Sequence, residues 1–254
     1  MATDKPRAPA DPAAPPVLAV DVGGSHVKAL LNGEPERRRF VTPKRLSAAD
    51  MVAGVHDLTQ NWSYTVVSVG VPAPVLAGKV FREPVNLGSG WVGFDFEAAF
   101  GKPTKVINDA AMQALGSYEG GRMLFLGLGT GLGSTMIVDG VVEPLELGHL
   151  PYKKGTYEDY VGRRGLKQLG TKKWRKAVQE TIASFVAALQ PDYVVLGGGN
   201  AEDLGDLPSG VRLGDNESAF LGGFRMWLDE KPAKKAGPPR KPKIPAPAPP
   251  VDGS

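Results

Sequence analysis

The chain has 254 residues, a formal net charge of +3 and 42% hydrophobic residues, enough apolar material for one large domain or two smaller lobes. It contains no cysteine, which excludes a disulfide framework, thiol catalysis and thiolate zinc. No apolar run approaches the roughly eighteen residues that cross a bilayer, and the Pro/Ala-rich N-terminus has no hydrophobic signal core, so a cytoplasmic setting without membrane contact is expected.

Residues 1–16 carry five prolines and residues 231–254 mix Pro, Ala and Lys, compositions that cannot bury a core, so both ends are expected to be disordered. The tail sets six basic residues, Lys231 to Lys243, against Asp252 alone, which leaves the body between the two ends net acidic. The basic character of the chain belongs to its tail, and a specific nucleic-acid partner is not expected.

Val17 to Val22, Val27 to Leu31 and Arg37 to Val41 read as three short strands joined by turns at Gly23-Gly24 and Asn32-Gly33. Ser47 opens a helix to Asn61, with Asp50 three residues on and Met51, Val52, Val55 and Leu58 at helical spacing. A buried strand, Tyr64 to Val71, ends in Pro72-Ala73-Pro74. Lys105 to Ile107 is a short strand that runs into the polar pair Asn108-Asp109, and Ala110 to Tyr118 follows as a helix. Met123 to Leu128 and Ser134 to Val138 repeat the opening pattern, split by Gly129-Thr130-Gly131 and followed by a turn at Asp139-Gly140. Helices over Tyr157 to Leu169 and Lys172 to Leu189, a strand Tyr193 to Leu196, a Gly197-Gly198-Gly199 turn and a last helix, Glu217 to Leu228, complete the body. This order fits two α/β lobes with mixed sheets around a cleft, divided as 17–108 and 109–230, better than an alternating βαβ array.

Three glycine turns end apolar runs. Asp21-Val22-Gly23-Gly24-Ser25, with Lys28 beyond, could bring backbone N–H groups, a hydroxyl and an ammonium to phosphate oxygens; it reads equally as a β-hairpin. The run Gly127 to Gly133 has glycine at every second position, no G-x-G-x-x-G register, and a strand rather than a helix after it, so a dinucleotide fingerprint is excluded. No Walker A sequence occurs anywhere.

Together, Asp21 to Lys28, Asn108-Asp109-Ala110, Gly129 to Gly133 and Glu146-Leu147-Gly148-His149 resemble the ROK family of sugar kinases, with a particular likeness to its polyphosphate-using branch. The resemblance spans about Val17 to Leu228. It implies an actin-like ATPase (ribonuclease H-like) fold and Mg²⁺-dependent transfer of a phosphoryl group, from polyphosphate or ATP, to glucose or a related hexose. It implies Asp109 as the catalytic base, since a sugar hydroxyl must lose its proton as it attacks phosphorus. Asn86, Asn108, Asp109, Glu146, His149 and Glu158 match sugar-binding positions. Asp21, Gly23, Gly24, Ser25, Lys28, Gly129, Thr130, Gly131 and Gly198 match phosphate-binding ones, with Asp21 holding Mg²⁺ directly or through water. In the family the histidine corresponding to His149 joins three cysteines on zinc; here that segment is cut to Leu150 to Lys154 with no cysteine, so no zinc site is expected. A homodimer is the family expectation. A non-catalytic sugar sensor, or a kinase for another hexose, is the alternative.

The donor is addressed by Lys153, Lys154, Arg163, Arg164, Lys167, Lys172, Lys173, Arg175 and Lys176, set against only Glu158 and Asp159 in that stretch. Inorganic polyphosphate has one charge per phosphate and no base to recognise, so a basic track is what it would need; a solvated helix face explains the same residues.

Overall fold

The computed structural model describes residues 15–215 and 217–228. The arms expected to be disordered, 1–16 and 231–254, lie outside those residues apart from Pro15 and Pro16. The chain divides into two compact units: the first runs to Met112 and takes up the chain again from Ala219, and the second comprises Gln113–Ser218.

The first unit is built on β1 (Val17–Val22), in which all six residues are buried. It is central, and apolar but for Asp21 near its end. On one side it pairs antiparallel with β2 (His26–Leu31), which in turn carries β3 (Arg38–Val41). On the other side it runs parallel to β4 (Val66–Val71), which pairs with β7 (Thr104–Asn108) to complete the sheet β3-β2-β1-β4-β7. Helix α1 (Ala48–Leu58) is capped as its sequence predicts, the Ser47 hydroxyl accepting from the Asp50 amide, with Met51, Val52 and Val55 buried. Between β4 and β7 lie elements that the sequence reading did not include: a hairpin of β5 (Val75–Leu76) and β6 (Lys79–Val80), and a short helix α2 (Phe96–Phe100). They are too short to leave a periodic signature. Asp95 caps α2 through the Ala98 amide, and Gly101 ends it at φ 61°.

The second unit repeats the plan. Strands β8 (Arg122–Leu128), β9 (Leu132–Val138) and β10 (Val141–Leu145) form an antiparallel meander; β8 then runs parallel to β13 (Tyr193–Gly197), and β13 to β14 (Val211–Leu213). The order β10-β9-β8-β13-β14 therefore has the same succession of two antiparallel and two parallel pairings as the first sheet. Between β10 and β13 come a two-residue hairpin, β11 (Pro151–Tyr152) with β12 (Gly155–Thr156), then α4 (Tyr157–Val161) and α5 (Arg163–Leu189).

Two expectations are corrected. The helix expected over Tyr157 to Leu169 is broken at Gly162 (ψ −179°), where a Cβ would stand 2.8 Å from the carbonyl oxygens of both Glu158 and Thr130. The Gly129–Gly131 loop of the same unit approaches closely there, and Gly162, a poor helix former, leaves room for it. The expected break near residue 170 is present, with Gly170 at φ 71° inside α5. The second correction concerns the last helix, assigned by the sequence to the span 109–230. Helix α3 (Asp109–Ser117) starts in the first unit, and α6 (Ser218–Arg225) returns to it from Ala219 onward. Phe220 packs with Ala19 and Leu30, the Ser68 hydroxyl donates to the Gly223 carbonyl at 2.6 Å, and Trp227 Nε1 donates back to Ser68 at 2.8 Å. Gly223 is required there: a Cβ would come within 2.7 Å of the Ala19 methyl.

Candidate active site

The first unit gathers its candidate residues at the carboxyl ends of β1, β4 and β7, the edge where open α/β sheets present ligand sites. The register pairs Asp21 with Gly70 and Val71 with Asn108. A Cβ on Gly70 would lie 3.5 Å from Asp109 Cα and 2.5 Å from the end of Met112, so glycine in β4, at the position paired with Asp21, lets α3 start close against β4. Asp21 is buried and opposite Lys28 on β2, whose ammonium donates to Asp21 Oδ2 at 3.0 Å.

The turn between β1 and β2 is a hairpin, as the plainer reading of the sequence has it. The Gly23 amide donates to His26 O at 3.0 Å, and the Thr42 hydroxyl and amide donate to Gly23 O and Ser25 O. That geometry remains compatible with a phosphate turn. Neither glycine adopts positive φ, Gly24 and Ser25 are exposed, and a Cβ on Gly24 would meet nothing within 4 Å. The missing side chain leaves open space above the turn.

At the β7 to α3 junction the two polar residues divide their work. Asn108 is the helix cap: its Oδ1 accepts from the amides of Ala110 and Ala111 at 2.9 and 3.1 Å, and its Nδ2 donates to Ala73 O at 3.2 Å. Asp109, half-buried, accepts from the Ala110 amide through Oδ1 at 2.8 Å. The two side chains thus share the Ala110 amide, and Asn108 alone of the pair also takes that of Ala111. Asn86 stands exposed at the tip of the loop between β6 and α2.

In the second unit, Gly129-Thr130-Gly131 joins β8 to β9 and is held from three directions. The Arg163 amide, at the start of α5, donates to the Gly129 and Thr130 carbonyls at 3.0 and 3.2 Å. The Asn200 side chain donates to Gly129 O at 3.0 Å, and its backbone amide to Leu128 O. Glu158 lies against Gly131 and accepts from the Leu132 amide through Oε2 at 3.3 Å. Gly198, at φ 83°, backs onto Leu128, where a Cβ would be 2.5 Å from the carbonyl oxygen. As at Gly24, a Cβ on Gly129 would meet nothing within 4 Å, and Thr130 is exposed.

Glu146 and His149 bracket a one-turn 3₁₀ helix, with His149 Nδ1 3.7 Å from Glu146 Oε2 and both side chains more than half exposed. Gly148, between them, packs against the Leu132 carbonyl and the Glu158 Cβ. Glu146, His149, Glu158 and the glycine turn therefore form one neighbourhood.

The shortened segment after His149 is the β11–β12 hairpin, fastened to α5 by side chains. Tyr152 stacks on Tyr157 at 4.5 Å, Tyr157 meets Phe185, and Glu180 on α5 accepts from the Tyr152 hydroxyl and from Lys153. The Lys153 hydrogen bond, then that of Tyr152, pulls the Glu180 carboxyl below its ordinary range; the same bond to Glu180 raises Lys153, and burial raises the Tyr152 hydroxyl. Among the described residues no group of three or more His, Asp or Glu stands together to hold a metal. A magnesium ion needs less, one carboxylate together with waters and phosphate oxygens, and Asp21 beside the open turn at Gly24 fits that requirement.

Sequence reasoning passed over Asn200 and Glu83. Asn200 directly follows the glycine triplet, a signal legible in the sequence; Glu83 leaves none.

No protein-family model matches the chain. It is similar to the polyphosphate glucokinase of Mycobacterium tuberculosis (strain H37Rv), 26% identical over 208 residues that cover 72% of this chain and 77% of that one. Its fold is shared by solved structures, two of which illustrate the likeness. The inorganic polyphosphate/ATP-glucomannokinase of Arthrobacter sp. strain KM aligns with a TM-score of 0.73 at 24% identity, over 84% of this chain and 98% of that one. A ROK family glucokinase from Streptomyces griseus, in complex with glucose and AMPPNP, aligns at 0.69 and 15% identity, over 84% and 99%. The fold class is therefore the actin-like ATPase fold expected from the sequence, with a mixed five-stranded sheet in each unit. The resemblance to ROK sugar kinases, and to those that use polyphosphate, is likewise borne out.

Proposed function

We propose that the chain is a ROK-type hexose kinase that transfers a phosphoryl group from polyphosphate or ATP to the 6-hydroxyl of glucose. The observation that supports this reading is the start of α3 against Gly70, the β4 residue paired with Asp21, with Asp109 as the first residue of that helix and Asn108 accepting from its first amides. The Asp109 carboxylate accepts the hydroxyl proton as the sugar oxygen attacks phosphorus, and the rest of the donor leaves with the bonding electrons. Asp21, with Lys28 fixing one carboxylate oxygen, would hold Mg²⁺ through water; the ion supplies neutralisation of phosphate charge. The turns at Gly23–Ser25 and Gly129–Gly131 take phosphate oxygens, and Gly198 shapes the second of them. Asn86, Asn108, Glu146, His149 and Glu158 are the sugar contacts. Polyphosphate is favoured as a donor by α5, which begins against the Gly129 turn and exposes Arg163, Lys167, Lys172, Lys173 and Lys176.

The test is formation of sugar 6-phosphate by the purified chain with Mg²⁺, ATP against long-chain polyphosphate, and glucose, mannose and N-acetyl sugars as acceptors. Asp109→Asn should lower kcat by about 10²–10⁴-fold with the melting temperature little changed. Undiminished turnover in that variant removes Asp109 as the base. Glucose binding without turnover on any donor identifies a sensor instead.

A further inference from the structure

The loop that presents Asn86 is closed by one carboxylate. Glu83 accepts from three consecutive backbone amides: Gly90 and Val92 donate to its Oε1 at 3.2 and 3.4 Å, and Trp91 donates to its Oε2 at 3.1 Å. Gly90, at φ 91°, turns the chain so that successive N–H groups converge into a concave anion nest, here filled by a side chain of the same loop. Residues 84–89 are thereby tied off at their base.

The rest of the loop is held from below. Pro84 is buried, the Gly88 amide donates to Leu46 O at 3.0 Å, and the fully buried Trp91 indole donates to the same carbonyl at 3.1 Å. The tip is a turn closed within the loop, the Leu87 amide donating to Pro84 O at 3.4 Å. Val85 is 94% exposed and Asn86 is exposed, so their position depends on the two stems being kept together. Glu83 joins the first stem to the second.

We propose that Glu83 is a positioning residue for sugar binding: its carboxylate, seated in the nest of amides 90–92, sets the geometry in which Asn86 meets the acceptor sugar. This rests on the kinase reading and on Asn86 as a sugar contact, and adds a residue that touches neither substrate. The effect falls on the acceptor alone, because the loop carries no phosphate-binding residue.

The experiment is steady-state kinetics on the full chain, with acceptor and donor varied separately, for Glu83→Ala, Glu83→Gln, Asn86→Ala and the Glu83/Asn86 double variant. Glu83→Ala should raise the acceptor KM about tenfold, with kcat within about twofold and donor KM unchanged. Glu83→Gln should fall between wild type and Glu83→Ala, since its carbonyl can still accept from Gly90 and Val92 but its NH₂ cannot accept from Trp91. In the Asn86→Ala background, removal of Glu83 should add little, because both act through one contact. Hydrogen exchange at amides 90–92 should quicken in Glu83→Ala. An unchanged acceptor KM in a wild type that turns over sugar overturns the proposal alone, as do additive effects of the two variants. A parallel loss of kcat, donor KM and melting temperature would reduce Glu83 to a general structural role and overturn it too. Absence of sugar turnover in the wild type overturns the kinase reading and this proposal with it.

Discussion

Gly131→Ala measures how tightly the second glycine turn is built. Gly131 is not at positive φ, so alanine suits its backbone; what it lacks is room. An added Cβ would fall on Glu158 Oε2, with Glu158 Cδ only 2.8 Å away. Glu158 is the flexible partner and would swing aside, giving up its hydrogen bond from the Leu132 amide. Leaving a largely buried donor without its partner costs about 1–3 kcal/mol. In a chain of this size that is a fall in melting temperature of roughly 2–10 °C. Differential scanning calorimetry on Gly131→Ala, Glu158→Ala and the double variant isolates the cause. Once Glu158 is truncated the methyl has space, so Gly131→Ala should cost under about 0.5 kcal/mol in that background. Equal costs in both backgrounds, or no cost in either, would refute the reasoning.

The Tyr152–Lys153–Glu180 cluster predicts a pH dependence of stability. Glu180 is lowered in the folded state, so its contribution is present above its unfolded pKa and is lost as pH falls through the folded value. Lys153 is raised, so its contribution is present below its unfolded pKa and lost only as pH rises past that range. Melting curves across the acid range should show Glu180→Gln less acid-sensitive than wild type, with the two converging at low pH; parallel curves would refute the coupling. Both side chains are more than one-third exposed, so the difference should be modest. The exposed cations of α5 predict that polyphosphate turnover falls with added salt more steeply than ATP turnover, and that charge-neutral substitutions at Lys172 and Lys173 flatten the difference. Equal salt responses would leave α5 as a solvated face.

What the sequence determined is local. Alternating turns and apolar runs specify both meanders, Ser47 with Asp50 specifies the start of α1, and the Gly23-Gly24 hairpin sets Lys28 opposite Asp21 by register alone. Asn108-Asp109 at the end of an apolar run is legible in the same way, because strand-to-helix junctions have a chemistry of their own. Tertiary structure decided the rest. The Thr130 carbonyl stands where a side chain at Gly162 would go, and the capture of Glu158 by the Leu132 amide joins residues 26 apart. Ser68 and Gly223, 155 residues apart, help hold the last helix on the first unit, and Glu83 finds its amides only where Gly90 turns the loop back. Such partners are matched by shape and by the need to satisfy buried or convergent polar groups, and neither leaves a period in the sequence.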